Sequence, residues 1–250
     1  MNASSPTCLI TGASGGVATA LARRLRAQGW RLALVGRDRT RLSPDGGEVA
    51  IEADVATEAG AADALAAATA AFGAPPEAVV NCAGAMLIAP IGRTSERQYR
   101  DCLSANLDTA FFVARAYVAA LQAARRGGAL VFFSSVAAGV GVGNHPAIAA
   151  AKGGVEALTR SLAADAAALG LRVNAIAPGL LETPATAKFV SGDLARRAVS
   201  AQYPLGRHGA ADDAAALAAF LVSADAGWIS GQVIAVDGGF LGVRPAVKVS

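Results

Sequence analysis

The sequence predicts a single-domain α/β fold, a doubly wound parallel sheet with helices on both faces, and three observations lead there. Short aliphatic runs alternate with helical stretches in the order β, α, β, β, α, β between Cys8 and Val80. A glycine-rich turn, Gly12 to Gly16, joins the first such run to the first helical stretch. At 250 residues, with 54% hydrophobic and 16% charged side chains, the chain can bury one large core, has little room for a second domain, and lies far from the composition of disordered chains.

The elements follow in order. Cys8-Leu9-Ile10 reads as a buried strand, and Val17 to Gln28 has helical periodicity. Leu32 to Val35 and Val49 to Ile51 read as strands, Ala59 to Phe72 as an alanine-rich helix, and Ala78 to Val80 as a fourth strand. Gln98 to Ala124 carries two helical stretches divided near Asn106, and Leu130 to Phe133 is a strand. Pro146 to Leu169 reads as a long helix with proline at its first position, and Arg172 to Ile176 and Val233 to Val236 supply the last strands. Thr183 to Gln202 lacks strand character. In a doubly wound enzyme it is either a substrate lid or a helical connection with no moving part.

Charge and cysteine usage narrow the function. With 22 Lys+Arg against 19 Asp+Glu the net charge is +3 and no basic block occurs, so a nucleic-acid partner is not expected. Neither a signal-peptide pattern nor an apolar run of membrane-span length occurs, which gives the expectation of a soluble, cytoplasmic protein without a membrane partner. Cys8, Cys82 and Cys102 lack metal-ligand spacing and read as reduced, structural thiols. His145 and His208 have no clustered partners, so no metal site is expected.

The chemistry starts at Thr11-Gly12-Ala13-Ser14-Gly15-Gly16-Val17-Ala18, where glycines permit close backbone approach and a helix N-terminus offers free N–H groups to a pyrophosphate. Further motifs follow in order: Asp54-Val55, Asn81-Cys82-Ala83-Gly84, Asn106, Ser134-Ser135, Lys152, Arg172-Val173-Asn174 with Pro178-Gly179, and Val236-Asp237-Gly238-Gly239. This series resembles the short-chain dehydrogenase/reductase family over essentially the whole chain, with Ala18 at the last position of the glycine pattern and Cys82 where the family has a second asparagine. The resemblance implies a Rossmann-type fold and a nicotinamide cofactor. It implies that Gly12, Ser14, Gly16 and Val17 line the pyrophosphate, that Asp54 bonds the adenine amino group beside Val55, and that Asn81, Ala83 and Gly84 flank the adenosine. It places Pro178, Gly179 and Thr183 at the nicotinamide end.

The segment Leu34-Val35-Gly36-Arg37-Asp38 bears on which nicotinamide cofactor is bound. An acidic side chain at the end of the second strand would hold the ribose of NAD, whereas an arginine accommodates the 2′-phosphate of NADP. In the family's register Gly36 stands at the acidic position and Arg37 follows it, so NADP(H) is favoured over NAD(H). Against this, Asp38 is placed to pair with Arg37, Gly15 stands where some NADP-using relatives carry a second basic residue, and Arg37 also reads as a surface charge among Arg39 and Arg41.

Family members pair a serine with a Tyr-x-x-x-Lys sequence, in which tyrosine is the acid/base and lysine binds the nicotinamide ribose; the i, i+4 spacing puts both on one helix face. Here Ser135, Lys152 and Asn106 are present, but Ile148 stands four residues before Lys152, and it follows Ser135 by the family's interval of 13 positions. Isoleucine donates no proton. His145 is the nearby titratable group, read either as an acid/base or as a loop and capping residue. Leu87, Ile88, Val140, Val142, Leu180, Leu181 and Phe189 are candidates for an apolar substrate pocket or for core.

The function these residues point to is an NADP(H)-dependent oxidoreductase transferring a hydride to or from a small carbonyl, imine or activated alkene, with atypical proton delivery. The alternatives are a catalytically impaired dinucleotide-binding protein or partner subunit, and a non-redox enzyme using the same pocket. The resemblance further implies a homo-oligomer, a tetramer, in which Ala116, Ala119, Ala120, Ala163, Ala164 and Ala167 either allow close helix pairing between copies or face the sheet.

Overall fold

The computed structural model describes residues 5–244. Strands β1 (Thr7–Thr11), β2 (Arg31–Gly36), β3 (Val49–Glu52), β4 (Ala78–Asn81), β5 (Gly128–Phe133), β6 (Leu171–Pro178) and β9 (Val233–Val236) form one sheet in the order β3-β2-β1-β4-β5-β6-β9. Every neighbouring pair is parallel. The order reverses between β1 and β4, so the connections leaving these strands diverge and open a crevice beyond their carboxyl ends. The last paired residues there are Thr11 and Asn81.

Helices cover both faces because the strands are apolar on both. On one face α1 (Gly16–Ala27) and α8 (Ala211–Val222) pack through Leu21, Leu25, Ala215, Ala218 and Leu221 onto Ile10, Leu32 and Val131. On the other, α2 (Glu58–Phe72), α4 (Thr109–Ala124) and α6 (Pro146–Asp165) bring Leu65, Val113, Tyr117 and Val155 against Leu9, Val79, Leu130 and Val173. Their many alanines bring helix backbones close to the sheet, and each fully buried aliphatic side chain is worth about 1.5–3 kcal/mol. The hydroxyl of Tyr117 is kept satisfied by donating to the carbonyls of Pro76 and Glu77 before β4.

Several elements differ from the sequence reading. Between Gln202 and Val233, where that reading offers no element, the chain forms β8 (Gly209–Ala210) and then α8, whose first turn carries Asp212 and Asp213. β8 pairs with β7 (Leu181–Glu182) in a separate two-stranded parallel sheet. The helix from Pro146 ends at Asp165 rather than Leu169, and a 3-10 turn at Ala167–Leu169 and the left-handed Gly170 close it. The stretch 183–202 holds a 3-10 turn at Ala187–Phe189 and helix α7 (Asp193–Ser200), so its form is that of a helical connection. Near Asn106 the division is a π turn, Ser104–Asp108, between α3 (Glu96–Leu103) and α4. No helix among the described residues is long and apolar enough to cross a membrane.

Candidate active site

The crevice begins at the loop after β1. Gly12 has φ +59°, and a Cβ there would lie 2.7 Å from the backbone nitrogen of Ala83, so only glycine lets β1 and β4 release their chains this close together. Gly15 caps α1 with no side-chain hydrogen bond, and the first turn of α1 has no acidic residue. The N–H groups at this helix start are thus left for an anion. Ser14 is exposed at the loop and Val17 half-buried. Across the crevice Thr11 Oγ1 donates to Asn81 Oδ1 and accepts from Ala83 N–H at 3.2 Å. The buried Asn81 side chain therefore ties β4 to β1. Asp54 is exposed, with one carboxylate oxygen accepting from Ala56 N–H at 3.1 Å, and Val55 beside it is buried.

At the end of β2, a Cβ on Gly36 would lie 3.0 Å from Leu42 Cδ2, so a side chain there would need the end of Leu42 to give by a few tenths of an ångström. Arg37 is exposed and makes no hydrogen bond or ion pair among the described residues. The pairing with Asp38 that the sequence suggests does not form: Asp38 instead accepts from the backbone and hydroxyl of Thr40, and these bonds hold its carboxyl below the usual range.

Deeper in the crevice, Lys152 of α6 is buried and its Nζ donates to the Phe133 carbonyl at 2.8 Å. Burial lowers its pKa to about 8, against smaller opposing effects from the nearby thiols of Cys102 and Cys82. Asn106, also buried, donates from Nδ2 to the carbonyls of Ala85 and Cys102, both at 2.9 Å. A methyl carbon on Gly84 would lie 2.9 Å from Asn106 Oδ1 and 3.5 Å from Lys152 Nζ, so amide and amine converge on this one bare backbone position. Ser135 follows β5 and caps the short helix α5 (Val136–Gly139), its Oγ accepting from Ala137 N–H at 3.2 Å and leaving its hydroxyl proton free to donate. Ile148 is buried in an apolar cluster with Ala147, Ala151 and Cys102, against Leu87 and Leu103. His145 sits at the N-cap of α6 with Nδ1 2.6 Å from the Gly143 carbonyl, the geometry of a loop residue.

At the end of β6, Gly179 N–H donates to the Val236 carbonyl, and Pro178 and Thr183 are half-buried beside it. Tyr117 and Tyr203 are both far from Lys152 in sequence, and the fold separates them. Tyr117 is fixed at the opposite end of the sheet, whereas Tyr203 packs on Gly179, accepts from Leu180 N–H at 2.7 Å, and has its pKa pushed up by burial. It lines a cavity of about 360 Å³ with Leu205, Arg207, Asp213 and Asp237. No motif marks Tyr203; only the tertiary fold brings it to Gly179. Among the apolar candidates Leu181 is core, Leu87 packs on Ile148, and Ile88 and Val140 are exposed. No cluster of metal-ligating side chains occurs among the described residues.

Residues 12–241 match the family described as Enoyl-(Acyl carrier protein) reductase. The chain belongs to the short-chain dehydrogenase/reductase family. It is 32% identical to a mouse (3R)-3-hydroxyacyl-CoA dehydrogenase, over 94% of this chain and 96% of that protein. A Xanthobacter autotrophicus relative, described as an inactive 2-(S)-hydroxypropyl-CoM dehydrogenase 2, is 34% identical over 89% of this chain and all of its own length. The solved structure of a Mycobacterium ulcerans short-chain type dehydrogenase/reductase superposes with a TM-score of 0.87 at 30% identity, covering 94% of this chain and 90% of that one. Members of the short-chain dehydrogenase/reductase family bind nicotinamide cofactors, and the crevice between β1 and β4 is where the motifs of this member gather.

Proposed function

We propose that this protein is an NADP(H)-dependent oxidoreductase that transfers a hydride to or from a small carbonyl, imine or activated alkene, and that it does so without a phenol as proton donor. The observation that carries the reading is the convergence of the buried Lys152 amine and the Asn106 amide at Gly84, one strand end away from the free hydroxyl proton of Ser135. A bare binding groove has no chemical use for that hydroxyl.

The residues present fit a nicotinamide dinucleotide. Gly12, Ser14, Gly16 and Val17 would hold the pyrophosphate at the uncapped start of α1, Asp54, Val55, Asn81, Ala83 and Gly84 the adenosine side, and Pro178, Gly179 and Thr183 the nicotinamide end. Arg37, unpaired among the described residues, would take a 2′-phosphate, and Gly36, which has no carboxylate to hold a ribose hydroxyl, supports NADP(H) over NAD(H). The cofactor supplies the hydride when bound. Lys152, with a pKa of about 8, is mostly an ammonium at neutral pH and would donate to ribose hydroxyls, while Ser135 would donate to the substrate heteroatom.

Reduction of a ketone takes a hydride at carbon and a proton at oxygen, and a positioned acid contributes ~10²–10⁴-fold. We read Ile148 as standing at the place of the family's tyrosine. Its apolar surroundings then leave the proton to come from solvent or from the substrate itself. An iminium acceptor takes the hydride alone. The bond of His145 Nδ1 to the Gly143 carbonyl, with no side-chain cap bond to α6, favours the loop role for that residue. Three free thiols support a reducing, cytoplasmic setting, and the helical connection 183–202 would serve as a lid only if it moves on binding.

The second reading, a dinucleotide-binding protein without turnover, is favoured by one observation: a relative at 34% identity carries a description as inactive. Binding of NADPH and NADP⁺ measured beside a panel of ketones, imines and activated alkenes, followed by NADPH absorbance, separates the two. Turnover of any member of the panel supports the oxidoreductase; tight binding with none supports the binding protein.

A further inference from the structure

Away from the crevice, four polar side chains from three elements meet in one cluster. Glu182 ends β7, Arg196 and Ser200 lie on α7, and His208 precedes β8. Arg196 grips the Glu182 carboxylate with two parallel bonds, Nη1 to Oε2 and Nη2 to Oε1, each 2.8 Å. The ring of His208, only 9% exposed, places Nε2 3.0 Å from Glu182 Oε2 and Nδ1 3.0 Å from Ser200 Oγ, so it bridges the end of α7 to β7. The hydrogen bonds from Arg196 and His208 drive the Glu182 carboxyl down to about 2, which keeps it anionic. Arg207, next to His208 in sequence, pairs with Asp213 on α8 instead of with Glu182.

Glu182 leads directly into Thr183 and Pro184. A methyl carbon on Gly16 would lie 3.0 Å from Thr183 Cβ and 3.2 Å from Pro184 Cδ, so these two residues rest against the point where the phosphate loop becomes α1. Between the cluster and that contact the chain is stiff: Thr183 N–H donates to Thr186 Oγ1 at 2.9 Å, and the Thr186 hydroxyl donates to the Leu181 carbonyl. An exposed ion pair is weak alone, but the bidentate guanidinium and the bridging imidazole share one carboxylate and act together.

We propose that Glu182, Arg196, Ser200 and His208 form a clasp that positions Thr183 and Pro184 over the phosphate loop and thereby sets how fast a bound dinucleotide leaves. These are positioning residues, and the inference rests on the dinucleotide reading for its ligand. The test pairs hydrogen exchange over residues 183–202 of the unliganded protein with stopped-flow release of NADPH, in the unmodified protein, Glu182→Gln, His208→Phe, and the charge-swapped pair Glu182→Arg with Arg196→Glu. Glu182→Gln should speed both exchange in 187–202 and NADPH release by about threefold to tenfold, while exchange in β1, β4 and β5 stays unchanged. His208→Phe should give a smaller change of the same sign, and the swapped pair should recover most of the loss. Exchange that does not respond, or responds while NADPH release stays the same, would overturn the clasp. Failure of the unmodified protein to bind NADPH would instead overturn the dinucleotide reading, and the role in release with it.

Discussion

Lys152 Nζ donates a 2.8 Å hydrogen bond to the Phe133 carbonyl, tying the first turns of α6 to the carboxyl end of β5. The bond crosses the layer between helix and sheet at the point where the crevice is deepest. It leaves an ammonium among the thiols of Cys82 and Cys102, which burial has pushed up in pKa, that of Cys82 to about 12.

Burying that ammonium costs stability in a pH-dependent way. The folded pKa of about 8 lies below the ordinary 10.5, so between these values the unfolded chain binds more protons and stability rises with pH. The full cost, roughly 3 kcal/mol, is present below pH 8 and fades toward pH 10.5. Urea unfolding without cofactor should therefore find Lys152→Met more stable than the unmodified protein at pH 7. The difference should shrink or reverse by pH 10, where only the lost bond to Phe133 remains. A difference independent of pH would sink this account.

On the proposed reading, Arg37 would set the choice of cofactor. Arg37→Ala should weaken NADPH by about tenfold to a hundredfold, the worth of one hydrogen-bonded charge pair, and NADH by less than twofold. Calorimetric titration of both cofactors checks it. Equal losses, or tighter NADH binding by the unmodified protein, would defeat the assignment.

A tetramer, as the family resemblance implies, would need apolar surface on more than one face. Of the alanines expected at a pairing face, Ala116 and Ala163 pack on the core, while Ala119, Ala164 and Ala167 are exposed. Phe111 of α4 is 50% exposed, and on a separate patch Phe220 and Trp228 are 41% and 101% exposed. Two distinct apolar patches are what a tetramer with two kinds of two-fold interface needs. Light scattering at micromolar concentration should give a tetramer, and Phe111→Glu a dimer held by the other patch. A monomeric unmodified protein would remove the idea.

How far the sequence carried these readings depended on where the signal lay. The strands of the main sheet were legible because each is a short aliphatic run bounded by turn residues, whereas their order in the sheet, and with it the crevice, came from the tertiary fold. α8 was not, although the acidic pair Asp212 and Asp213 ahead of an alanine- and leucine-rich run is a helix-start signal that could have found it. β7 and β8 were invisible because two-residue strands have no period. Glu182, Arg196 and His208, up to 26 positions apart, meet only once those strands pair, and the packing of Tyr203 on Gly179 is tertiary in the same sense.

On the proposed reading, the source of the proton turns on Ile148. Its side chain lies on α6 one turn before Lys152, in an apolar cluster with Cys102, Leu87 and Leu103. A tyrosine there would share a helix face with Lys152, whose ammonium lowers a phenol pKa from ~10 toward neutrality. Ordinary ketones should therefore be poor substrates of the unmodified protein, and Ile148→Tyr should raise their turnover about a hundredfold, the lower end of what a positioned acid contributes. The gain should appear in kcat, with NADPH affinity within twofold. His145→Ala should leave turnover unchanged, since Nδ1 of that ring is committed to the Gly143 carbonyl 2.6 Å away. The three proteins are compared on one ketone panel across several pH values. A fall in turnover on His145→Ala would transfer the acid role to that histidine. Robust ketone reduction by the unmodified protein, unmoved by either substitution, would show that solvent reaching the oxygen beside Ser135 already delivers the proton, and the missing-phenol account would fall.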